Sequence, residues 1–306
     1  MANRSKNIDT DTSTSTIACS KPYDWPAVLA FFRLRAVSGL ERAGDAHYTR
    51  AVIVDGSPAA LTVQHDPESA CLSAALTGGP NADSKALRQR VQAMFDTDAK
   101  MRSINRTLNR DAALAPVQRI ASRLRVAGSW DRFELVMRAV LGQQVTVAAG
   151  RTLCERLCTR YGRPLPATLA ENSELAVAFP TPQALADADI VAIGMPSRRV
   201  QTLQTIAAAV ADGSLDLYTA NADELERALL DIPGIGPWTA GYVRMRASKD
   251  PDAFPPSDVA LLNAARALGI ATDHKSLLAA AERWRPWRAY AAVRLWRWLQ
   301  AGTNRG

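Results

Sequence analysis

The spacing of apolar residues predicts two regions with different secondary structure. Up to about residue 100, helical spacing and runs rich in β-branched residues occur together. The predicted helices span 23–37 and 83–95, and the predicted strands span 47–54, 59–64 and 70–76. Asp, Gly, Ser and Pro separate the strands, as expected in an antiparallel sheet. Residues 19–104 are therefore predicted to form a small α+β domain.

Strand patterns are absent after this region, and helical spacing continues to the end of the chain. The predicted helices span 116–127, 132–141, 145–161, 182–186, 197–212, 222–230, 237–247, 259–268, 277–283 and 286–299. The expected fold class is α+β, with a small amino-terminal domain of antiparallel sheet and helices followed by an all-α body. The first eighteen residues are polar and rich in Ser and Thr, so residues 1–18 are predicted to be a disordered tail.

The distribution of charge favours a polyanionic partner. The chain has 37 Lys and Arg against 30 Asp and Glu, which gives a net charge of +7. Six arginines lie within 101–125 and six within 281–306, and clusters of this kind are typical of surfaces that attract phosphates. Arg294 and Arg297 are the expected phosphate contacts of the second cluster, with solvated surface arginines as the alternative.

The cysteine and histidine content predicts neither a disulfide framework nor a metal site. Four scattered cysteines are too few for a disulfide scaffold, and three histidines without a CxxC pair do not supply ligands for zinc or an iron–sulfur cluster. No apolar stretch is long enough to span a bilayer. These features indicate reduced thiols, a cytoplasmic location and a monomer that requires no cofactor or membrane.

The strongest local signal is a predicted helix, tight turn and helix over 221–247. Asn221 and Glu224 form a capping-box pattern, Pro233 ends the first helix, and Pro237 suits the first position of the second. Glycines in such a turn permit positive φ or close approach, and free N–H groups at a helix N-terminus attract phosphate. The expected DNA contacts are Gly234, Ile235, Gly236, Trp238 and Thr239. A turn that connects two helices and binds nothing is the alternative.

The hairpin and several flanking motifs resemble the 3-methyladenine DNA glycosylase II family, the AlkA type of helix-hairpin-helix DNA glycosylase. Residues 229–240 read LLDIPGIGPWTA and residues 252–258 read DAFPPSD. Further matches occur in the same order at 23–25, 141–143, 179–182, 194–196 and 282–288. The resemblance implies helical subdomains formed by 129–250 and by 105–128 with 251–306, and an active site in the cleft between them. It also implies that damaged double-stranded DNA is the partner and that alkylated bases are excised.

The resemblance assigns the catalytic role to Asp258. Hydrolysis of an N-glycosidic bond develops positive charge on the sugar, and one carboxylate near the anomeric carbon can stabilise it or orient the attacking water. By its position before an apolar helix, Asp258 would otherwise be read as an N-cap.

Electron-rich rings suit a pocket for cationic alkylated bases. Trp238 and Tyr242 are four residues apart and share a helix face. The resemblance adds Trp296 and Phe31 to the same cleft, and ordinary core packing is the alternative for each ring. Trp238 also stands where strand-cleaving relatives have a Schiff-base lysine, which predicts a monofunctional enzyme.

The resemblance assigns two further roles. Gln144 is placed at the residue inserted into the duplex after base flipping, although a plain loop between helices is an equal alternative. A monovalent cation is possible at the carbonyls near Ile232 and Ile235. Two other functions stay open: a helix-hairpin-helix glycosylase for other damaged bases, and a non-catalytic DNA-binding relative.

Overall fold

The computed structural model describes residues 12–78, 84–255 and 257–303. Its amino-terminal part is an antiparallel sheet with helices. In chain order the elements are β1 (Thr12–Ala18), α1 (Trp25–Arg35), β2 (Glu41–Ala43), β3 (His47–Val54), β4 (Ser57–Asp66), β5 (Cys71–Thr77) and α2 (Ser84–Phe95). The strand order in the sheet is β1-β5-β4-β3-β2. The α+β class predicted for this region is confirmed.

The rest of the described chain is almost entirely helical. Its elements are α3 (Met101–Leu108), α4 (Ala115–Ala121), α5 (Arg132–Leu141), α6 (Val147–Tyr161), β6 (Arg163–Pro164), α7 (Ala167–Ser173), β7 (Val177–Ala178), α8 (Pro182–Ala186), α9 (Ser197–Ala211), α10 (Ala222–Leu230), α11 (Pro237–Ala247), α12 (Val259–Ala267), α13 (His274–Ala281) and α14 (Arg288–Thr303). The short strands β6 and β7 pair with each other. The predicted all-α body is thus correct apart from this small ribbon.

The disordered tail predicted for residues 1–18 is wrong for its second half. Thr12–Ala18 is the edge strand β1, paired with β5 along its whole length. Ser15 and Ile17 are buried, whereas the alternate residues Thr14, Thr16 and Ala18 are exposed. The strand therefore has one buried and one exposed face. Residues 1–11 lie outside the described residues.

Three apolar cores hold the described chain together. One contains inward-facing residues of the sheet with α1 and α2, and a second joins the helices between α5 and α11. The third is discontinuous, because it combines residues 99–126 with residues 245–295. Ala99, Met101 and Ile104 belong to this third core, and the domain boundary at residue 104 stays a prediction.

A buried carboxylate lies where the amino-terminal domain meets the third core. Asp96 Oδ2 accepts hydrogen bonds from the Tyr290 hydroxyl at 2.9 Å and from the Val126 N–H at 3.1 Å. The nearby Arg125 guanidinium binds the Asp96 carbonyl at 2.6 Å. Burial raises the pKa of Asp96 to about 6, against the opposing effect of these donors.

Candidate active site

A cavity of about 410 Å³ opens between the amino-terminal domain and the two helical units. Its lining includes residues from α1, α5, α6, α11, α12 and α14. Asp258, Trp238, Tyr242, Trp296 and Phe31, which the sequence assigned to one cleft, all line this cavity. The structure therefore brings the predicted catalytic and base-pocket residues together.

Asp258 has both roles that the sequence left open. It is the N-cap of α12, and its Oδ1 accepts the Leu261 N–H at 2.8 Å. The indole N–H of Trp238 donates to Oδ2 at 2.6 Å, and that of Trp296 donates to Oδ1 at 3.0 Å. Only 8% of the residue is exposed, so its orientation is fixed by donors from three helices.

This arrangement leaves one side of the carboxylate available. Oδ1 receives two of the three hydrogen bonds and Oδ2 receives one. A carboxylate oxygen has two acceptor positions, so Oδ2 can still accept a bond from a water or face a sugar carbon. Because all three partners are donors, Asp258 acts here only as an acceptor.

The aromatic residues form a wall rather than a slot. The rings of Trp238 and Tyr242 are stacked with centroids 5.4 Å apart and planes at 14°. A base inserted between two rings needs about twice the ~3.4 Å stacking rise, so no base enters between these two. The Tyr242 and Trp296 rings are 6.4 Å apart and inclined at 53°, and they offer faces toward the cavity instead.

Phe31 lines the cavity as predicted, but its ring is already engaged by two cations. The guanidinium carbons of Arg35 and Arg246 lie 4.0 and 4.5 Å from the ring centroid. Arg246 also lies 4.9 Å from the centroid of Tyr242. Cation–π contacts at these distances are favourable, and they leave Phe31 less able to stack on a cationic base.

Paired charges form the deep end of the cavity. Glu134 accepts a hydrogen bond from Arg50 at 2.6 Å and forms an ion pair with Arg138 Nε at 3.0 Å. Glu41 accepts hydrogen bonds from Arg138 at 2.5 Å and from the Tyr48 hydroxyl. Burial opposes ionisation of Glu41, but Arg138 and Arg50 outweigh it and lower the pKa of that carboxyl. The lowered pKa keeps Glu41 ionised, and both carboxylates of this cluster are paired with arginine.

The predicted hairpin is formed by α10, the turn over 231–236, and α11. The capping box of Asn221 and Glu224 is present. Gly234 has φ +95°, and a Cβ there would lie 2.1 Å from Thr202 Oγ1. A Cβ on Gly236, by contrast, would meet nothing within 4 Å. The first glycine is thus required by the fold, whereas the second leaves open space beside the first turn of α11.

Two of the predicted hairpin contacts point inward. Thr239 is only 2% exposed, and its hydroxyl accepts a hydrogen bond from Gln143 Nε2 at 2.9 Å, which leaves only its backbone for the predicted contact with DNA. The Ile235 side chain is buried in the second core, which leaves only its backbone for a ligand. Gln143 also donates to the Gly234 carbonyl at 3.0 Å, and it therefore ties the hairpin to the turn after α5.

Gln144 lies at the tip of that turn. It is exposed and has a positive φ of 56°, a conformation uncommon for residues other than glycine. The neighbouring Val145 and Val147 are 38% and 41% exposed. The insertion role of Gln144 stays a prediction, and exposed apolar side chains flank it.

Comparison with known proteins agrees with this geometry. Residues 14–131 match the model of the AlkA N-terminal domain, and residues 137–289 match the model of the HhH-GPD superfamily base excision DNA repair protein. The chain is 32% identical over 92% of its length to Escherichia coli DNA-3-methyladenine glycosylase 2, of which it covers 96%. This chain belongs to the HhH-GPD superfamily. The predicted family is confirmed.

Two further proteins are similar to this chain. It is 33% identical over 92% of its length to a Mycobacterium tuberculosis protein described as a probable bifunctional transcriptional activator/DNA repair enzyme AlkA, but spans only 56% of that protein. Among solved structures, the 3-methyladenine DNA-glycosylase from Archaeoglobus fulgidus matches with a TM-score of 0.80 at 21% identity. That match covers 94% of this chain and 98% of the other, and it supports the predicted fold class.

The predicted phosphate contact at Arg294 is wrong. Arg294 is 1% exposed, and it donates to Gln118 Oε1 at 2.7 Å and to the Ser122 carbonyl at 3.0 Å. It joins α14 to α4 inside the third core, because a long side chain on the inner face of a helix can reach buried carbonyls. Arg297 is exposed, so its predicted role is still possible. Three more arginines of this cluster are in ion pairs with carboxylates: Arg283, Arg285 and Arg288.

The sequence pointed to neither Arg35 nor Arg246 in this HhH-GPD site. A signal was present, because Phe31 and Arg35 are four residues apart, as are Tyr242 and Arg246. Extending the face shared by Trp238 and Tyr242 by one helical turn reaches Arg246. Arginine is usually a surface residue, so its spacing alone does not indicate a place on a buried aromatic face.

Two findings concern the remaining predictions. All four cysteines are free thiols, and Cys154 and Cys158 are both buried on α6.

None of the helices in the described ranges is both long enough and apolar enough to cross a bilayer.

Proposed function

We propose that this chain is a monofunctional DNA glycosylase that hydrolyses the N-glycosidic bond of alkylated bases in duplex DNA. The observation that carries the proposal is Asp258, held by the indoles of Trp238 and Trp296 at the edge of an aromatic cavity. A relative covering nearly the same length is named DNA-3-methyladenine glycosylase 2. That name supports 3-methyladenine as a substrate, together with related alkylpurines.

The reaction is a substitution at the anomeric carbon of the sugar. The bond from C1′ to the base nitrogen breaks, and its electron pair leaves with the base. A water oxygen then bonds to C1′ and one water proton is released, which gives an abasic sugar and a free base. Asp258 Oδ2 has an unoccupied acceptor position for this water, and its negative charge stabilises the cationic sugar.

The site supports base release without strand cleavage. Cleavage through a Schiff base requires an amine near C1′, and the described lining of the cavity contains no lysine. Lys249, the first lysine after the hairpin, pairs with Asp98 at 2.7 Å. Trp238 donates to Asp258 and cannot form such an adduct.

Duplex DNA would contact two adjacent features. The turn at Gly234 and Gly236 offers N–H groups at the start of α11, which suit a phosphate oxygen. Gln144 and the exposed Val145 lie on the turn that Gln143 ties to this hairpin. Inserting them beside the flipped nucleotide would fill the gap it leaves.

Three further parts of the proposal depend on the same hairpin or on the fold. A monovalent cation near the Ile232 and Ile235 carbonyls would share the Ile232 oxygen, which already accepts the Ile235 N–H at 3.0 Å. The protein is proposed to be a monomer, since one cavity and one hairpin suffice for one lesion. A cytoplasmic location agrees with the four free cysteines.

The deciding experiment compares wild type with Asp258→Asn on methylated duplex. Asparagine keeps an oxygen for the Leu261 N–H but removes the negative charge, so excision should fall by about a hundredfold or more while DNA affinity is retained. Asp273→Asn is a matched control, because Asp273 caps α13 in the same way at 2.7 Å but lies on the surface. That control should excise like wild type.

The assay separates the alternatives that the sequence left open. Released methylpurines with intact strands, lost only in Asp258→Asn, support the proposal. Strand nicking without alkali would refute the monofunctional part. Release of other damaged bases but no alkylated base would favour the other glycosylase class, and binding without release by wild type would favour a non-catalytic protein.

A further inference from the structure

Two arginines beside the aromatic cavity have no carboxylate partner among the described residues. Arg246 is 3% exposed, its Nη1 donates to the Ala127 carbonyl at 2.5 Å, and its Nε has no hydrogen-bond partner in this part of the chain. Arg35 is half-buried, and its Nη1 donates to the Phe31 carbonyl at 3.2 Å. Arg50 and Arg138, which line the same cavity, are both paired with glutamate.

The charges around the cavity floor therefore do not balance. The lining contains five arginines and three carboxylates, which leaves an excess of two positive charges: Arg35, Arg50, Arg138, Arg151, Arg246, Glu41, Glu134 and Asp258. A buried charge without a partner is costly, since desolvation is not repaid by attraction. Arg246 is buried and Arg35 is half-buried beside the cavity, and the absence of a carboxylate partner for either among the described residues indicates that something in the bound state compensates for them.

Both guanidinium groups act on the Tyr242 hydroxyl. Burial alone would raise the pKa of Tyr242, but Arg246 and Arg35 outweigh it and lower the pKa below its usual value. Burial has the opposite effect on an arginine, and it lowers the pKa of Arg35. The two guanidinium groups therefore favour negative charge on the hydroxyl oxygen, and the hydroxyl can donate its proton to a ligand in the cavity.

The negative charge that would balance these arginines develops on the departing base during the proposed reaction. When the bond to C1′ breaks, the base gains an electron pair and its charge falls by one unit. A cationic alkylpurine leaves as a neutral molecule, whereas a neutral lesion leaves with a negative charge. Positive groups around the base therefore favour departure in both cases, but only the neutral lesion has a net attraction to them in the transition state.

We propose, on the basis of the glycosylase function proposed above, that Arg35 and Arg246 are specificity-determining residues that stabilise the departing base, directly and through the Tyr242 hydroxyl, and so extend catalysis to uncharged damaged purines. Asp258 acts on the sugar and these arginines act on the leaving group. Their side chains lie on α1 and α11, one from the amino-terminal domain and one from the hairpin. Residues of both domains therefore form the leaving-group side of the site.

The test measures single-turnover excision from duplexes with either 7-methylguanine, a cationic base, or hypoxanthine, a neutral base. The maximal rate and the enzyme concentration that gives half of it are determined for wild type, Arg246→Gln, Arg246→Lys and Arg35→Gln. For hypoxanthine, Arg246→Gln should lower the ratio of the maximal rate to the half-saturating enzyme concentration by about tenfold or more. For 7-methylguanine, the ratio should change by less than about threefold, because the maximal rate and the half-saturating concentration fall together.

Arg246→Lys keeps the charge, so it should restore most of the selectivity for hypoxanthine. Arg35→Gln should reproduce the effect, and it carries the test if loss of the bond to Ala127 unfolds Arg246→Gln, since its own hydrogen bond is within α1. Equal losses on both lesions, without rescue by lysine, would refute the proposal and mean that the arginines only support the fold. Wild type that releases 7-methylguanine but not hypoxanthine would refute it as well, while leaving the glycosylase function intact.

Discussion

Gly236 offers a way to test DNA contact at the hairpin without disturbing the fold. Its φ is −104° and its ψ is 175°, a conformation that alanine adopts without strain. A Cβ there meets no atom within 4 Å. Gly236→Ala should therefore change the free energy of unfolding by no more than about 0.5 kcal/mol.

The expected effect on DNA binding is larger. If the turn lets a phosphate reach the N–H groups at the start of α11, the added methyl occupies part of that approach. Loss of one hydrogen bond to a charged group costs about 1.5–3 kcal/mol. That corresponds to about 10- to 150-fold weaker binding.

Gly234 provides the opposite case. Alanine there would retain a positive φ and would place Cβ 2.1 Å from Thr202 Oγ1. The left-handed conformation costs about 1–2 kcal/mol and overpacking adds about 1–3 kcal/mol. Gly234→Ala should thus destabilise the protein, and adding Thr202→Ala should recover the overpacking part only.

The assay combines fluorescence anisotropy on an undamaged duplex with urea unfolding of the same preparations. Weak binding by Gly236→Ala at wild-type stability would place DNA at the turn. Unchanged affinity of Gly236→Ala would refute the reasoning, because it would mean that no DNA backbone approaches this glycine.

Three further predictions follow from single side chains. Trp238→Phe keeps a ring for stacking but removes the 2.6 Å donor to Asp258, so single-turnover excision should fall about 10- to 100-fold, and a wild-type rate would exclude this hydrogen bond from the mechanism. Because the folded-state pKa of Asp96 is raised to about 6, the folded protein binds a proton that the unfolded chain has lost. Urea unfolding at several pH values should therefore show that the free energy of unfolding of wild type, relative to Asp96→Asn, falls by up to about 3 kcal/mol as the pH rises from about 4 to 6. A difference that does not change with pH would contradict this. Arg294→Ala should cost about 2–5 kcal/mol of stability without altering the salt dependence of DNA binding. Arg297→Ala should instead lower the slope of log affinity against log salt by about 0.9, and an unchanged slope would remove Arg297 from the interface.

The sequence predicted the elements with strong local signals. The bounds of β3, α5, α8, α10 and α11 agree with the predicted spans, because caps, prolines and apolar spacing all agree in these segments. It missed α3, whose buried face of Met101, Ile104 and Leu108 is set among arginines and asparagines. It also missed β1, where pairing with β5 supplies the stability that a polar strand lacks on its own.

The catalytic and aromatic residues of the candidate site were predictable from motifs and spacing, whereas the positions of the arginines were not. The resemblance assigned Asp258, Trp296 and Phe31, and helical spacing assigned Trp238 and Tyr242. All five line the cavity. Arginine is usually exposed, which favours a surface position for Arg294, but its position on the inner face of α14 buries it. Arginine burial depends on which helix face meets a partner far away in the chain, and no local pattern contains that information.

The discontinuous third core has a consequence for how the protein is made. Asp111 accepts the indole N–H of Trp284 at a separation of 173 residues, and Gln118 accepts from Arg294 at 176. During synthesis α3 and α4 leave the ribosome long before these partners exist, so their apolar faces must wait or find transient cover. Trp296 on α14 arrives last and completes the carboxylate's hydrogen bonds. A nascent chain therefore carries a finished hairpin before it carries a finished active site.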